Sequence, residues 1–301
     1  MDRLSRRFRM PEAQPSIDPP RFDALLPPDM AARAEDIGVR KANMELGRLC
    51  ALSFLAGAFI ALGAVFATTV WAGSAPYLGF GATRLLAGVV FSLGLVLVIV
   101  GGAELFTGNN LIVMAWASRK VPTVLLLRNW GVTYVGNFVG AVATAAVVFL
   151  AGQYTMGSGA IGAAALATAD AKSGLGPVQA VALGALCNVL VCLAVWMTFS
   201  ARTTTDRILA IVPPIAAFVA CGFEHSVANM YFIPLGLLIK AGAAPEFWSS
   251  IGGSPADYAN LTWYGFLVRN LVPVTIGNVI GGSLMVGAVY WFIYLRRSGK
   301  Q

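Results

Sequence analysis

Long apolar runs divided by short polar stretches dominate the chain after its first 48 residues. Between Arg48 and Arg84 no Asp, Glu, Lys, Arg or His occurs. Roughly 20 apolar residues cross a bilayer, so this run holds one span and a turn. Six segments can be marked, near 49–71, 85–118, 129–150, 178–200, 208–239 and 271–294. The second is ionisable only at Glu104 and the fifth only at Glu224 and His225. Both are too long for one simple span and too short for two spans with a loop. Each has a polar knot near its middle, Gly101-Gly102-Ala103-Glu104-Leu105-Phe106-Thr107-Gly108-Asn109-Asn110 and Cys221-Gly222-Phe223-Glu224-His225-Ser226-Val227-Ala228-Asn229. The pattern predicts helices broken at mid-membrane. They are the middle members of segments 1–3 and 4–6, and three crossings per half force opposite orientations. The expected fold is therefore an all-α membrane protein of six transmembrane helices, an inverted 3+3 repeat with helices 2 and 5 broken, and a transport site at the midplane.

Composition agrees, with 57% hydrophobic and 12% charged residues against about a quarter charged in soluble domains. Charge placement adds orientation. Nine Lys/Arg lie in residues 1–48, and Arg119, Lys120, Arg128, Arg202, Arg207, Arg296, Arg297 and Lys300 share that side. Only Arg84, Lys172, Lys240 and Arg269 are opposite. This bias predicts an inner-membrane protein with both termini cytoplasmic. The first 48 residues carry six prolines before Asp29 and no apolar core of a secretory signal. Arg3, Arg6, Arg7 and Arg9 form a basic arm, read as an anchor beside anionic lipid rather than a nucleic-acid site. The expected organisation is a cytoplasmic segment 1–44, a transport domain 45–297 and a tail 298–301.

Cys50, Cys187, Cys192 and Cys221 fall in apolar runs and read as small buried hydrophobes. With one histidine in the chain and no ligand spacing, no metal is expected. Neither cofactor nor enzyme chemistry is expected, because no nucleophile constellation or phosphate loop occurs. Gly136 and Gly140, and Gly277 and Gly281, have the spacing that lets membrane helices approach closely.

Irregular backbone survives at membrane depth only inside protein or along a water-filled path. Each break starts a half-helix, expected near Asn109–Asn110 and near Ser226, and helix starts suit anions. His225 beside Glu224 is an ionisable group at mid-membrane, hence a functional candidate. Glu104 and Glu224 read as braces for the loops, since a bare carboxylate would repel an anion. Thr107, Asn109 and Asn229 can cap half-helices or touch a permeant. Lys172, near Asp170, reads either as a solvated loop charge or as an attractor of anions.

The two knots resemble the two signatures of the formate/nitrite transporter family. Phe22-Asp23-Ala24-Leu25-Leu26-Pro27-Pro28, Pro245-Glu246-Phe247-Trp248 and Asn270-Leu271-Val272-Pro273-Val274-Thr275-Ile276-Gly277-Asn278 extend the likeness over residues 20–297, which is most similar to the formate-channel branch. The resemblance implies an aquaporin-like fold, a homopentamer with a pore in each protomer, and passage of small monovalent anions, formate first, with protons. It implies that His225, Thr107, Asn188 and Lys172 line the path. It also implies an outer ring of Phe91, Leu95 and Phe218 and an inner ring of Leu105 and Val191. After Thr107 the chain continues Gly108-Asn109-Asn110, a continuation also seen in nitrite and hydrosulfide branches, so these anions stay as alternatives. An aquaporin-like channel for neutral solutes is the rival from another class, although no Asn-Pro-Ala triplet occurs.

Overall fold

The computed structural model describes residues 23–296. The basic arm and the tail 298–301 lie outside them. Helix is the regular secondary structure of the described residues, and no strand occurs among them. Helix α1 (Pro27–Ala42) opens with prolines in its first turn, where a missing N–H costs nothing, and ends on Arg40 and Lys41, which suit the negative helix end. Its stripe of Met30, Ala31 and Ala34 packs on Met114, Cys192 and Trp196. In the hydropathy pattern this segment reads only as a polar lead.

Helix α2 (Leu46–Trp71) is capped by Glu45, whose carboxylate accepts from the amides of Gly47 and Arg48. Helix α3 (Ala75–Gly101) kinks at Gly79. After a break, Phe106–Asn109 runs through a 3₁₀ turn, Asn110–Ile112, into Val113–Ala117, together α4. Then follow α5 (Thr123–Leu150), α6 (Ala160–Ser173), α7 (Pro177–Ser200), α8 (Thr204–Ala220), α9 (Ser226–Gly242), α10 (Pro245–Ile251) and α11 (Gly265–Tyr294).

Among the described residues, five helices are long and apolar enough to cross a membrane alone: α2, α3, α5, α7 and α11. The remaining apolar segment is α8 and α9, 17 residues each. Each spans about 25 Å and falls short of a bilayer core of about 30 Å. Both breaks form at a glycine in the left-handed region, Gly102 (φ 80°) and Gly222 (φ 74°), which ends the preceding helix where a side chain would be strained. The first break occupies residues 102–105, so its half-helix begins at Phe106, a turn before the expected Asn109–Asn110. The reason is a cap supplied from α5, where Asn137 Oδ1 accepts from the Phe106 amide at 2.9 Å.

Helix α9 is the centre of the molecule, with 13 of its 17 residues buried. The outer helices expose Leu62, Phe66, Val135, Val139 and Val147, a surface suited to lipid or to apolar protein. The paired glycines act at close crossings. A Cβ on Gly140 would lie 2.0 Å from the Phe54 carbonyl, and one on Gly281 would lie 2.1 Å from that of Ala185. Helix α11 widens to π turns at Gly265–Leu271 and Ile280–Ala288. Pro273 provides no amide to the first of them. Cys187 and Cys192 are buried as expected, but Cys50 and Cys221 face outward because their positions lie on the exposed sides of α2 and the second break.

Candidate functional site

The two breaks are held by the same set of bonds, drawn from different halves of the chain. At the first, Asn137 Nδ2 donates to the carbonyls of Ser53 (2.7 Å) and Glu104 (2.9 Å) while its Oδ1 caps Phe106. At the second, Asn278 Nδ2 donates to Gly184 O (2.8 Å) and Glu224 O (2.9 Å), and its Oδ1 accepts from the Ser226 amide (2.9 Å). The amides of Glu104 and Glu224 donate to Leu52 O and Leu183 O in turn. The first break is thus tied to α2 and α5, and the second to α7 and α11.

Both glutamates turn their carboxylates into polar knots. Glu104 Oε2 accepts from Asn109 Nδ2 (2.8 Å), which also donates to Asn129 Oδ1 (2.9 Å), and Asn129 Nδ2 donates to Lys41 O (3.0 Å). Glu224 Oε2 accepts from Asn229 Nδ2 (2.7 Å), which also donates to Asn270 Oδ1 (2.7 Å), and Asn270 Nδ2 donates to Lys172 O (2.9 Å). Each carboxylate is paired with a lysine. Lys41 lies 2.9 Å from Glu104, and Lys172 lies 2.6 Å from Glu224. Lys172 is therefore a mostly buried, paired cation and not a solvated loop charge. Asp170 binds the amides of Asn260 and Leu261 instead.

The half-helix starts bring Thr107 and His225 together. His225 is the N-cap of α9, and its Nδ1 accepts from the Ala228 amide at 3.0 Å. A backbone N–H can only donate, so Nδ1 carries no proton and the ring proton of the neutral imidazole sits on Nε2. That nitrogen is 3.0 Å from Thr107 Oγ1. The hydroxyl accepts from it and keeps its own proton to donate elsewhere. Asn188 is fully buried, and its Nδ2 lies within bonding distance of Asn110 Oδ1 (2.8 Å), Asn278 O (2.6 Å) and Thr107 O (3.3 Å). It joins the first half-helix to α11.

Two cavities approach this pair from opposite ends of α3. The face that carries α1 is termed inner. The outer cavity, about 450 Å³, is walled by Arg84, Phe91, Lys172, Phe218, Glu224 and His225. The inner one, about 240 Å³, is walled by Arg33, Lys41, Leu95, Glu104, Leu105 and Arg207. Phe91 meets Phe218 edge-on at 5.5 Å, and Phe218 stacks on His225 at 5.9 Å. Leu95, expected in the outer ring, lines the inner cavity beside Leu105, because it lies one turn deeper along α3 than Phe91. Val191 is buried and lines neither cavity. Sequence reasoning missed Lys41, Asn129, Asn137, Asn270 and Asn278. A signal was present, since Asn129/Asn137 and Asn270/Asn278 repeat one spacing, as do Glu104/Asn109 and Glu224/Asn229.

A family profile described as formate/nitrite transporter matches residues 28–292, which takes in both breaks and both knots. The chain belongs to the formate/nitrite transporter family. As a member of that family it is a transport protein of the membrane and not an enzyme. It is 46% identical to the formate channel FocA of Escherichia coli K12 over 277 residues, 92% of this chain and 97% of that one. It is 44% identical to the FocA of Haemophilus influenzae, over 88% of this chain and 93% of the relative. Among solved structures it resembles a pentameric formate channel with formate bound, at a TM-score of 0.79 and 44% identity, covering 83% of this chain and 98% of that one. An FNT family ion channel superposes with a TM-score of 0.73 at 30% identity, over 88% and 98%.

Proposed function

We propose that this formate/nitrite transporter carries formate through a pore in each protomer of a homopentamer in the inner membrane, with both termini cytoplasmic. The formate channels among its relatives and the pentameric neighbour support the substrate and the assembly. The excess of Lys and Arg on the α1 face supports the orientation.

The contact between Thr107 Oγ1 and His225 Nε2 carries the reading. Two half-helix N-termini converge there, and such ends favour negative charge. Thr107 is buried and lines neither cavity; in this reading its hydroxyl, held by the imidazole N–H, donates to a carboxylate that passes from one cavity to the other. On either side the walls are apolar, Phe91 and Phe218 outward and Leu95 and Leu105 inward. An unpaired anion crossing such a wall loses hydration worth many kcal/mol, whereas the neutral acid faces a far lower barrier. Lys172 draws the anion into the outer cavity. There formate takes a proton from vestibule water, rests against Thr107, crosses as formic acid, and returns the proton to water beyond. Glu104, Glu224, Asn109 and Asn229 brace the loops that hold this geometry.

The test is a panel of formate, nitrite, hydrosulfide, acetate and water on purified protein in vesicles. The reading expects formate flux well above water permeation. Preference for nitrite or hydrosulfide would redirect the substrate within the family, and fast water with no anion flux would replace the reading with a neutral-solute channel.

A further inference from the structure

The two knots differ at one place that the pore must feel. An ammonium group has three N–H donors. Lys41 Nζ is bonded to Glu104 Oε1 (2.9 Å), Glu104 Oε2 (3.0 Å) and Asn109 Oδ1 (2.9 Å), so every donor is engaged within the knot. Lys172 Nζ is bonded to Glu224 Oε1 alone, at 2.6 Å, with the Phe232 ring 5.6 Å away. Asn229 Oδ1, the counterpart of the acceptor that Lys41 uses, is buried without a donor among the described residues. Lys172 therefore keeps donors for an anion in the outer cavity, and Lys41 keeps none for the inner one.

The inner cavity has other cations. Arg33 on α1 and Arg207 on α8 both line it, and neither forms an ion pair with a described residue. The Arg33 guanidinium makes one hydrogen bond, from Nη1 to Phe199 O at 3.0 Å. The acidic group nearest in sequence to Arg207, Asp206, is occupied in capping α8, where it accepts from the amides of Arg202 and Thr203. Burial lowers the Arg33 pKa from its ordinary value, and the like charges of Arg207, Arg202 and Arg40 lower it further. A guanidinium nevertheless stays charged at any physiological pH and meets a carboxylate with two parallel N–H donors.

Building on the anion-channel reading, we infer that Arg33 and Arg207 form the anion-collecting pair of the inner mouth, while Lys41 is a positioning residue that locks the first break. The halves share one architecture but divide its labour differently: a lysine inside the knot collects on the outer face, and an arginine pair outside the knot collects on the inner.

The experiment uses full-length protein in oriented planar bilayers, with formate offered from each face and the half-saturating concentration read for both. Charged mouths commonly raise local encounter by tenfold or more, so Arg33→Gln/Arg207→Gln should raise the inner-face value about three- to tenfold and flatten its dependence on ionic strength. The outer-face value serves as the control within the same protein and should not move. Arg33→Lys/Arg207→Lys should recover most of the loss. Lys41→Met should lower the melting temperature of the purified protein, and adding Glu104→Gln should restore much of it. An inner-face value unchanged in the double glutamine variant, with wild-type flux intact, overturns this inference alone. So does Lys41→Met raising that value at an unchanged melting temperature. No wild-type flux from either face overturns both this inference and the reading beneath it.

Discussion

Asn278→Ala removes one side chain and strands two buried backbone groups. The Ser226 amide loses its acceptor and the Glu224 carbonyl its donor, while the Gly184 carbonyl loses a second donor and keeps its place in the α7 hydrogen-bond ladder. Asn278 is fully buried, so water does not readily replace it. A buried polar group left unpaired costs about 1–3 kcal/mol, and because the two share one partner the total is about 2–5 kcal/mol rather than a strict sum. The Ser226 amide opens α9, so the loss also loosens His225 against Thr107, and formate flux should fall with stability. Asn278→Asp should do no better. It keeps an acceptor for Ser226 but sets a carboxylate against two carbonyls. Unfolding in SDS, followed by tryptophan fluorescence, gives the stability change, and flux in vesicles gives the function. Thr133→Val is the control, because the Thr133 hydroxyl is buried with no partner among the described residues, and removing it should be neutral or stabilising. An Asn278→Ala protein that unfolds within about 1 kcal/mol of wild type and conducts normally would refute the clamp.

Other expectations follow from single contacts. In Gly282→Ala the new methyl would sit 2.3 Å from Asn188 Nδ2 and 2.9 Å from Asn110 Cβ; overpacking of this kind costs about 1–3 kcal/mol, and flux should drop with little loss of expression. Lys172→Met strands the buried Glu224 carboxylate and should cost about 3–5 kcal/mol, most of it recovered by Lys172→Met/Glu224→Gln, without recovery of affinity for external formate. The Glu45 carboxylate is held below its ordinary range by the amides of Gly47 and Arg48. A depressed folded value means the stabilisation is present above the ordinary carboxylate range and is lost as pH falls through it. The protection of the Gly47 and Arg48 amides, taken as observed exchange relative to the intrinsic rate at each pH, should therefore fall on acidification below about pH 4, and in Glu45→Ala it should be low at every pH.

The breaks were legible because a carboxylate beside a Gly-rich polar cluster interrupts an otherwise apolar run, and a carboxylate at membrane depth is too costly to stand there without a partner. His225 was legible as the single histidine in the chain. What stayed hidden depended on partners distant in sequence. Lys41 lies in a stretch that reads as a polar lead, and only the folding of α1 against α4 and α7 carries its ammonium to Glu104, 63 positions away. Asn137 and Asn278 each read as one tolerated asparagine in a span. Their meaning rests on three bonds apiece to another segment. The ring assignment of Leu95 followed from resemblance, and helical geometry moves it a turn inward. The first half-helix began earlier than its polar residues suggested, because Asn137 supplies the cap from outside the loop.

The central claim is that formate gains a proton in the outer vestibule, passes the contact of the Thr107 hydroxyl with His225 as formic acid, and gives the proton up to water beyond it. Formate uptake into vesicles, measured with the external side acidic, equal and alkaline relative to the lumen, tests it most directly when paired with His225→Asn. The account predicts uptake that rises with external acidity in the wild type and a variant in which flux and its response to the gradient fall together. Wild-type uptake that ignores the gradient, alongside an unimpaired His225→Asn protein, would contradict it.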